Sequence, residues 1–96
     1  MKVRYTLRGQ TELQLIFTQI YSDNPHAAMK VRASIRKAVN LIARDPKRGH
    51  KTSRSGVLRV PVVRYPYAIH FRARDEVVQI VHIRHSARQW PKGSEL

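Results

Sequence analysis

Three runs rich in β-branched and aromatic residues, at positions 57–63, 67–72 and 77–85, follow one another with little between them but Tyr65-Pro66 and residues 73–76. Runs of this kind with turn-forming separators are the pattern of an antiparallel meander, so whatever lies upstream has to cover one face of a small sheet. Side chains alternate along a strand. Tyr67, Ile69 and Phe71 therefore share a core face of the middle run, while Ala68, His70 and Arg72 share a basic, hydrogen-bonding face. In the third run the same alternation groups Val77, Val81 and Ile83 with Gln79 and His85, and groups Val78 and Ile80 with His82 and Arg84. Apolar residues on both sides predict a strand buried on both faces. Its polar side chains gather toward the end, at His82, Arg84, His85 and Arg88, and a functional site is expected there.

The upstream half reads as the cover. Residues 2–5 alternate as a short first strand, and Thr6 is placed to cap the helix that follows. Leu13, Ile16, Phe17 and Ile20 recur at helical spacing, which carries this helix to about Tyr21. In the turn Ser22-Asp23-Asn24-Pro25, Asn24 suits an N-cap and Pro25 a first helical residue. Ala28, Val31, Ile35, Ala38 and Ile42 then extend a second helix until Asp45-Pro46 stops it. Residues 47–55 hold no apolar side chain to anchor them and are expected to form a loop facing solvent, a phosphate or a partner. The predicted fold is a single α+β domain over residues 1–96, in the order β-α-α-β-β-β. Its N-terminal strand and helical hairpin pack on a small antiparallel sheet, Trp90 closes the core edge, and the tail 91–96 is flexible.

Charge narrows the function. Lys and Arg number 19 against 6 acidic residues, a formal net charge of +13, and no acidic residue occurs between Pro46 and Arg74. A field of that size destabilises the free chain by self-repulsion and calls for a counter-charged partner, a nucleic acid or an acidic protein. The six carboxylates fall on a helix face (Glu12), in caps and turns, and in the tail, so paired-carboxylate chemistry has no raw material. His82 and His85, three apart on a strand, point to opposite faces and make a poor metal site. The four glycines are isolated, which excludes a glycine-rich phosphate loop. Neither a metal nor a cofactor is expected. With no cysteine, no secretory leader and no apolar run near the roughly 20 residues of a membrane helix, the chain is expected in the cytoplasm and away from membranes.

The order of strand, helical hairpin and meander, with Arg64-Tyr65-Pro66-Tyr67-Ala68-Ile69-His70-Phe71-Arg72 followed by His82-Ile83-Arg84-His85-Ser86-Ala87-Arg88-Gln89-Trp90, resembles the RelE/ParE superfamily of toxins from bacterial type II toxin–antitoxin modules. The likeness runs from about Val3 to Trp90. It implies a growth-inhibiting toxin neutralised by an acidic cognate antitoxin wrapped around it. RelE-like members cleave messenger RNA on the ribosome with an array of basic and aromatic residues, including an Arg after the aromatic residue that opens the middle strand. Here that position is Ala68, behind Tyr67, and the piece from His85 to Trp90 is more similar to the ParE branch, which poisons DNA gyrase. The resemblance therefore favours a gyrase inhibitor that binds its target through Arg64, Arg72, Arg84, His85 and Arg88. The alternative is a metal-independent ribosome-dependent endoribonuclease built from His70, Arg72, His82, Arg84, His85 and Arg88. A further alternative is a non-toxic basic adaptor in an antitoxin repressor complex. Tyr65 and Tyr67 are expected to serve strand packing.

An acidic partner should meet this chain through long-range attraction and be held by buried apolar anchors, because rim charges govern encounter while anchors govern release. Stopped-flow association with such a partner is expected to slow steeply as salt rises, with dissociation nearly unchanged. Association indifferent to salt would remove the electrostatic part of this reading.

Overall fold

In the computed structural model, which describes residues 1–85, the first strand, β1 (Lys2–Tyr5), leads into α1 (Leu7–Asp23) and α2 (Pro25–Arg44). Thr6 accepts the Gly9 N–H at 3.0 Å and Asn24 accepts the Ala27 N–H at 3.1 Å, so both helices start at the caps their sequences carry. A single 3₁₀ turn (Pro46–Arg48) then leads to β2 (His50–Lys51), β3 (Leu58–Pro61), β4 (Tyr67–Arg74) and β5 (Val77–His85). The expectations for Arg88, Trp90 and the tail 91–96 lie outside the described residues. Among the described residues no helix is long and apolar enough to cross a membrane.

The sheet order is β1-β5-β4-β3-β2. β2 to β5 pair antiparallel in succession, but β1 lies parallel to β5, so the sheet is mixed and not purely antiparallel as expected. The helical hairpin carries the chain from one edge of the sheet to the other, and the meander returns to place β5 beside β1. Residues 47–55 also depart from the loop reading, since they contain β2. Their anchors are backbone and hydroxyl groups. Thr52 Oγ1 donates to the Val57 carbonyl at 2.9 Å, and Gly49 presses so closely on Leu58 and Phe71 that a Cβ there would lie 2.7 and 2.8 Å from their carbons. The turn between β4 and β5 shrinks to Asp75-Glu76, both at positive φ (53° and 60°), as a tight two-residue hairpin requires.

One irregularity organises the sheet. His70 pairs with His82, but the next residue, Phe71, pairs with Ile80, so Val81 is an extra residue in β5. Such a bulge reverses the alternation on either side of itself. Val78, Ile80 and Ile83 thereby all face the helices, where they join Ile35, Ile42, Ile69 and Phe71 in the core. Val77, Gln79, His82 and Arg84 all face the other way. The expectation of apolar residues divided between the two faces is thus corrected in part: the fully buried apolar residues, Val78, Ile80 and Ile83, belong to one face, and the bulge brings them there.

The start of α1 sits on this bulge. The Thr6 N–H donates to the Ile80 carbonyl at 3.0 Å, and its hydroxyl lies 3.2 and 3.3 Å from the carbonyls of Ile80 and Val81. Gly9, buried in the first turns of α1, lets the helix come this near, since a Cβ there would stand 2.6 Å from the Ile80 oxygen. In a helix interior Ala is worth about 1 kcal/mol over Gly, whereas overpacking against a fixed neighbour costs about 1–3 kcal/mol. The neighbour is backbone and cannot rotate away, so the second effect wins. Gly9→Ala is expected to lower the melting temperature by several degrees, at about 4–8 °C per kcal/mol for a domain of this size. An unchanged or raised melting temperature would contradict the close docking of α1.

Candidate functional site

The face of the sheet turned away from the helices carries a row of four residues in cross-strand register, His50 on β2, Arg59 on β3, His70 on β4 and His82 on β5. His70 and His82 are each only 5 % exposed, with their rings edge to face at 6.0 Å. Burial is the largest cause of a His70 ionisation lowered to about 4, and His82, Arg59 and Arg84 push it the same way. Its Nδ1 is buried without a hydrogen-bond partner. An imidazole that ionises so far below pH 7 is a weak base, poorly matched to taking a proton from a substrate near neutrality.

His82 is held from α1. Glu12 Oε1 accepts the Ile83 backbone N–H at 3.0 Å and lies 3.3 Å from His82 Nδ1, while its Oε2 is 3.7 Å from the Arg84 guanidinium. An ionised carboxylate can only accept, so the His82 Nδ1 carries the proton and the Arg84 nitrogen 3.3 Å away lies beside the ring as a charge. β1 pairs with β5 only as far as Ile80. Beyond that point the edge of β5 is met by α1, and Glu12 takes the hydrogen bond that a strand would have taken. Burial first, then Arg84, lowers the His82 ionisation against the opposing pull of Glu12. Burial likewise lowers that of Arg84, against the pull of Glu12 and with Arg8 adding to the lowering.

Of the residues singled out in the sequence, His70, His82 and Arg84 come together. Arg72 lies further along the same face, paired with Gln79. His85 falls on the face opposite His82 and Arg84, as alternation beyond the bulge requires, edge-on to Tyr67 at 5.3 Å, and Tyr65 and Tyr67 pack against the core as expected of strand residues. Arg64 stands exposed at φ 75° between β3 and β4. Arg88 lies outside the described residues. Ala68, buried, pairs with Arg84 and offers nothing to a phosphate. Sequence reasoning missed Glu12 and left it on a helix face; nothing in the pattern ties position 12 to position 82, since the link depends on the bulge. Among the described residues no group of three or more His, Cys, Asp or Glu could hold a metal ion.

A second feature lies on the helical side. Tyr5, Gln10, Leu13, Arg32, Ile35 and Arg36 line a cleft of about 250 Å³ between β1, α1 and α2. Arg32 stacks over the Phe17 ring at 5.3 Å. The cleft has an apolar floor, two guanidinium groups and no carboxylate.

Residues 3–90 match the model of a family described as ParE toxin of type II toxin-antitoxin system, parDE. The Sinorhizobium fredii protein Y4kP is 34 % identical over 92 residues, covering 95 % of this chain and 94 % of that protein. Toxin RelE2 of Caulobacter vibrioides is 34 % identical over 87 residues, covering 91 % of this chain and 97 % of its own. Among solved structures, the chromosomal ParDE system from P. aeruginosa superposes with a TM-score of 0.79 at 22 % identity, covering 88 % of this chain and 95 % of that one.

The buried imidazoles predict an acid-sensitive fold. His70 ionises at about 4 when folded and near 6.5 when unfolded, so between these values the unfolded chain binds more protons and stability falls as pH falls. The gap, at about 1.4 kcal/mol per pH unit, amounts to roughly 3 kcal/mol; above about pH 6.5 this group has no effect. The lowered ionisation of His82 acts in the same direction. Thermal unfolding followed from pH 7.5 to 4 should show the loss, and His70→Leu should flatten it. An equally steep dependence in His70→Leu would assign the acid sensitivity elsewhere.

Proposed function

Because the chain belongs to the ParE toxin family of type II toxin–antitoxin systems, we propose that it is a toxin that acts by binding DNA gyrase and is neutralised by an acidic cognate antitoxin. The observation that carries this reading is the state of the His70–His82–Arg84 centre. Cleavage of RNA needs a base, a proton donor for the leaving oxygen and cations for the extra transition-state charge. Here both imidazoles are buried, one is neutral with an unpartnered nitrogen, and the other is tied to Glu12, which also draws on Arg84. The neighbouring position, Ala68, adds no cation. Loss of one such preorganised donor costs about 10²–10³ in rate. A toxin that works by docking needs none of them; Arg64, Arg72 and Arg84, whose planar guanidinium groups can grip a carboxylate or phosphate in pairs, are the residues assigned to target contact.

The antitoxin reading is supported by the cleft between β1, α1 and α2. Leu13 and Ile35 offer an apolar seat, and Arg32 and Arg36 suit carboxylates of a negatively charged segment. The P. aeruginosa neighbour is itself a ParDE system.

Purified chain, freed of antitoxin, is expected to inhibit gyrase-dependent supercoiling and to leave messenger on programmed ribosomes intact. Messenger cleavage that disappears in Arg84→Ala or His85→Ala would overturn the proposal and assign the chain to the ribonuclease alternative.

A further inference from the structure

At the hairpin end of the open face, beginning one open-face position along β4 from His70, the register sets four cations at the corners of a rectangle. Arg4 on β1 pairs with Gln79 on β5, which pairs with Arg72 on β4; Lys2 likewise pairs with Val77, which pairs with Arg74. Lys2, Arg4, Arg74 and Gln79 are exposed and Arg72 is half-buried. Two residues along a strand span about 6.6 Å and two strand spacings about 9.6 Å, so the corners are fixed by backbone hydrogen bonding and not by flexible loops. Both ion pairs among the described residues involve Glu12, and neither involves these four. Asp75 and Glu76 bound the patch at the hairpin tip and leave its centre without a carboxylate.

From this arrangement we infer that the rectangle Lys2, Arg4, Arg72 and Arg74 is a docking surface for the phosphate backbone of duplex DNA. A regular array of cations suits a polymer with evenly spaced charge, and guanidinium groups grip phosphate oxygens in pairs. An acidic protein is a poorer fit, because protein interfaces are anchored by large apolar side chains. The exposed large hydrophobic residues are Met1, Tyr5, Leu7, Leu15, Tyr21, Met29 and Val63. They lie on the helices, at the chain start, on the helix-facing side of β1 or in the β3–β4 connection, and none on the open face. The two sides of the sheet thus divide the work: a protein partner on the helical side, a polyanion on the open side. The preference for duplex over single strand rests on the proposed action at gyrase; the phosphate contact itself does not.

The test measures binding of the full chain to a fluorescent DNA duplex and to a single-stranded RNA of the same length, by anisotropy, across a range of salt. No gyrase is present, so the outcome is independent of whether supercoiling is inhibited. Each neutralised phosphate contributes about 0.9 to the slope of log affinity against log salt. Replacing Lys2, Arg4, Arg72 and Arg74 by Gln is expected to flatten the duplex slope by about 3–4. Replacing Lys30, Lys37 and Arg44 on α2 by Gln removes a comparable charge and should leave the slope nearly unchanged. Should the fourfold variant fail to fold, Lys2→Gln with Arg4→Gln, and Arg72→Gln with Arg74→Gln, each read about half the effect. Equal flattening by the α2 variant, or binding to the RNA alone, would overturn the assignment.

Discussion

A single inserted residue, Val81, is the constraint on which most of this molecule depends. Without it, Val78 and Ile80 would share a face with His82 and Arg84, and β5 could not commit its apolar side chains to one core. With it, the strand presents Val78, Ile80 and Ile83 to the helices and His82 and Arg84 to the open face. The extra residue also leaves carbonyls at Ile80 and Val81 turned toward the edge, and α1 is built to receive them. Thr6 bonds there while capping its own helix, and Gly9 permits the approach. Bulges sharpen twist and re-aim side chains; here the bulge supplies both the site and the seat of the helix that holds it.

The charge distribution follows from the same geometry. A chain with net charge +13 has few carboxylates to spend inside, and one of the six is placed where three donors converge. Glu12 satisfies an edge N–H of β5, orders the His82 ring and draws the Arg84 guanidinium. At that end of the open face Glu12 offsets part of the positive charge and the imidazoles are buried. The hairpin end keeps its cations uncompensated and exposed. The two ends of one strand therefore have different electrostatic characters, although their residue types look alike in the sequence.

The elements were legible because local chemistry specifies them. Thr6 and Asn24 announce the helix starts, Pro25 and Pro46 mark a beginning and an end, and the spacing of Ile35, Ala38 and Ile42 gives the buried stripe. The parallel partner of β1 was not legible, since a short alternating run carries no record of which strand it will join. β2 was missed because its anchors are a glycine contact and a threonine hydroxyl, and neither contributes to an apolar pattern. The candidate site was half visible. His70, His82 and Arg84 stood out as chemistry on strands and alternation set His85 on the other face, but Glu12 was hidden altogether, because a bulge has no signature in Ile80-Val81-His82.

The parallel pairing of β1 with β5 joins Lys2 to Val77 and Tyr5 to Ile80, nearly the two ends of the described chain. Contacts so distant in sequence close late, because the loop entropy must be met before they reward the chain. During synthesis, at about 5–20 residues per second, roughly 4–15 s separate the appearance of Tyr5 from that of Ile80. For that interval the nascent first strand has no edge to join and Thr6 has no bulge to cap. The meander of β2 to β5 can close without β1, so the edge strand is the last piece to join, and the corner of the open face that Lys2 and Arg4 supply is completed only once β5 exists.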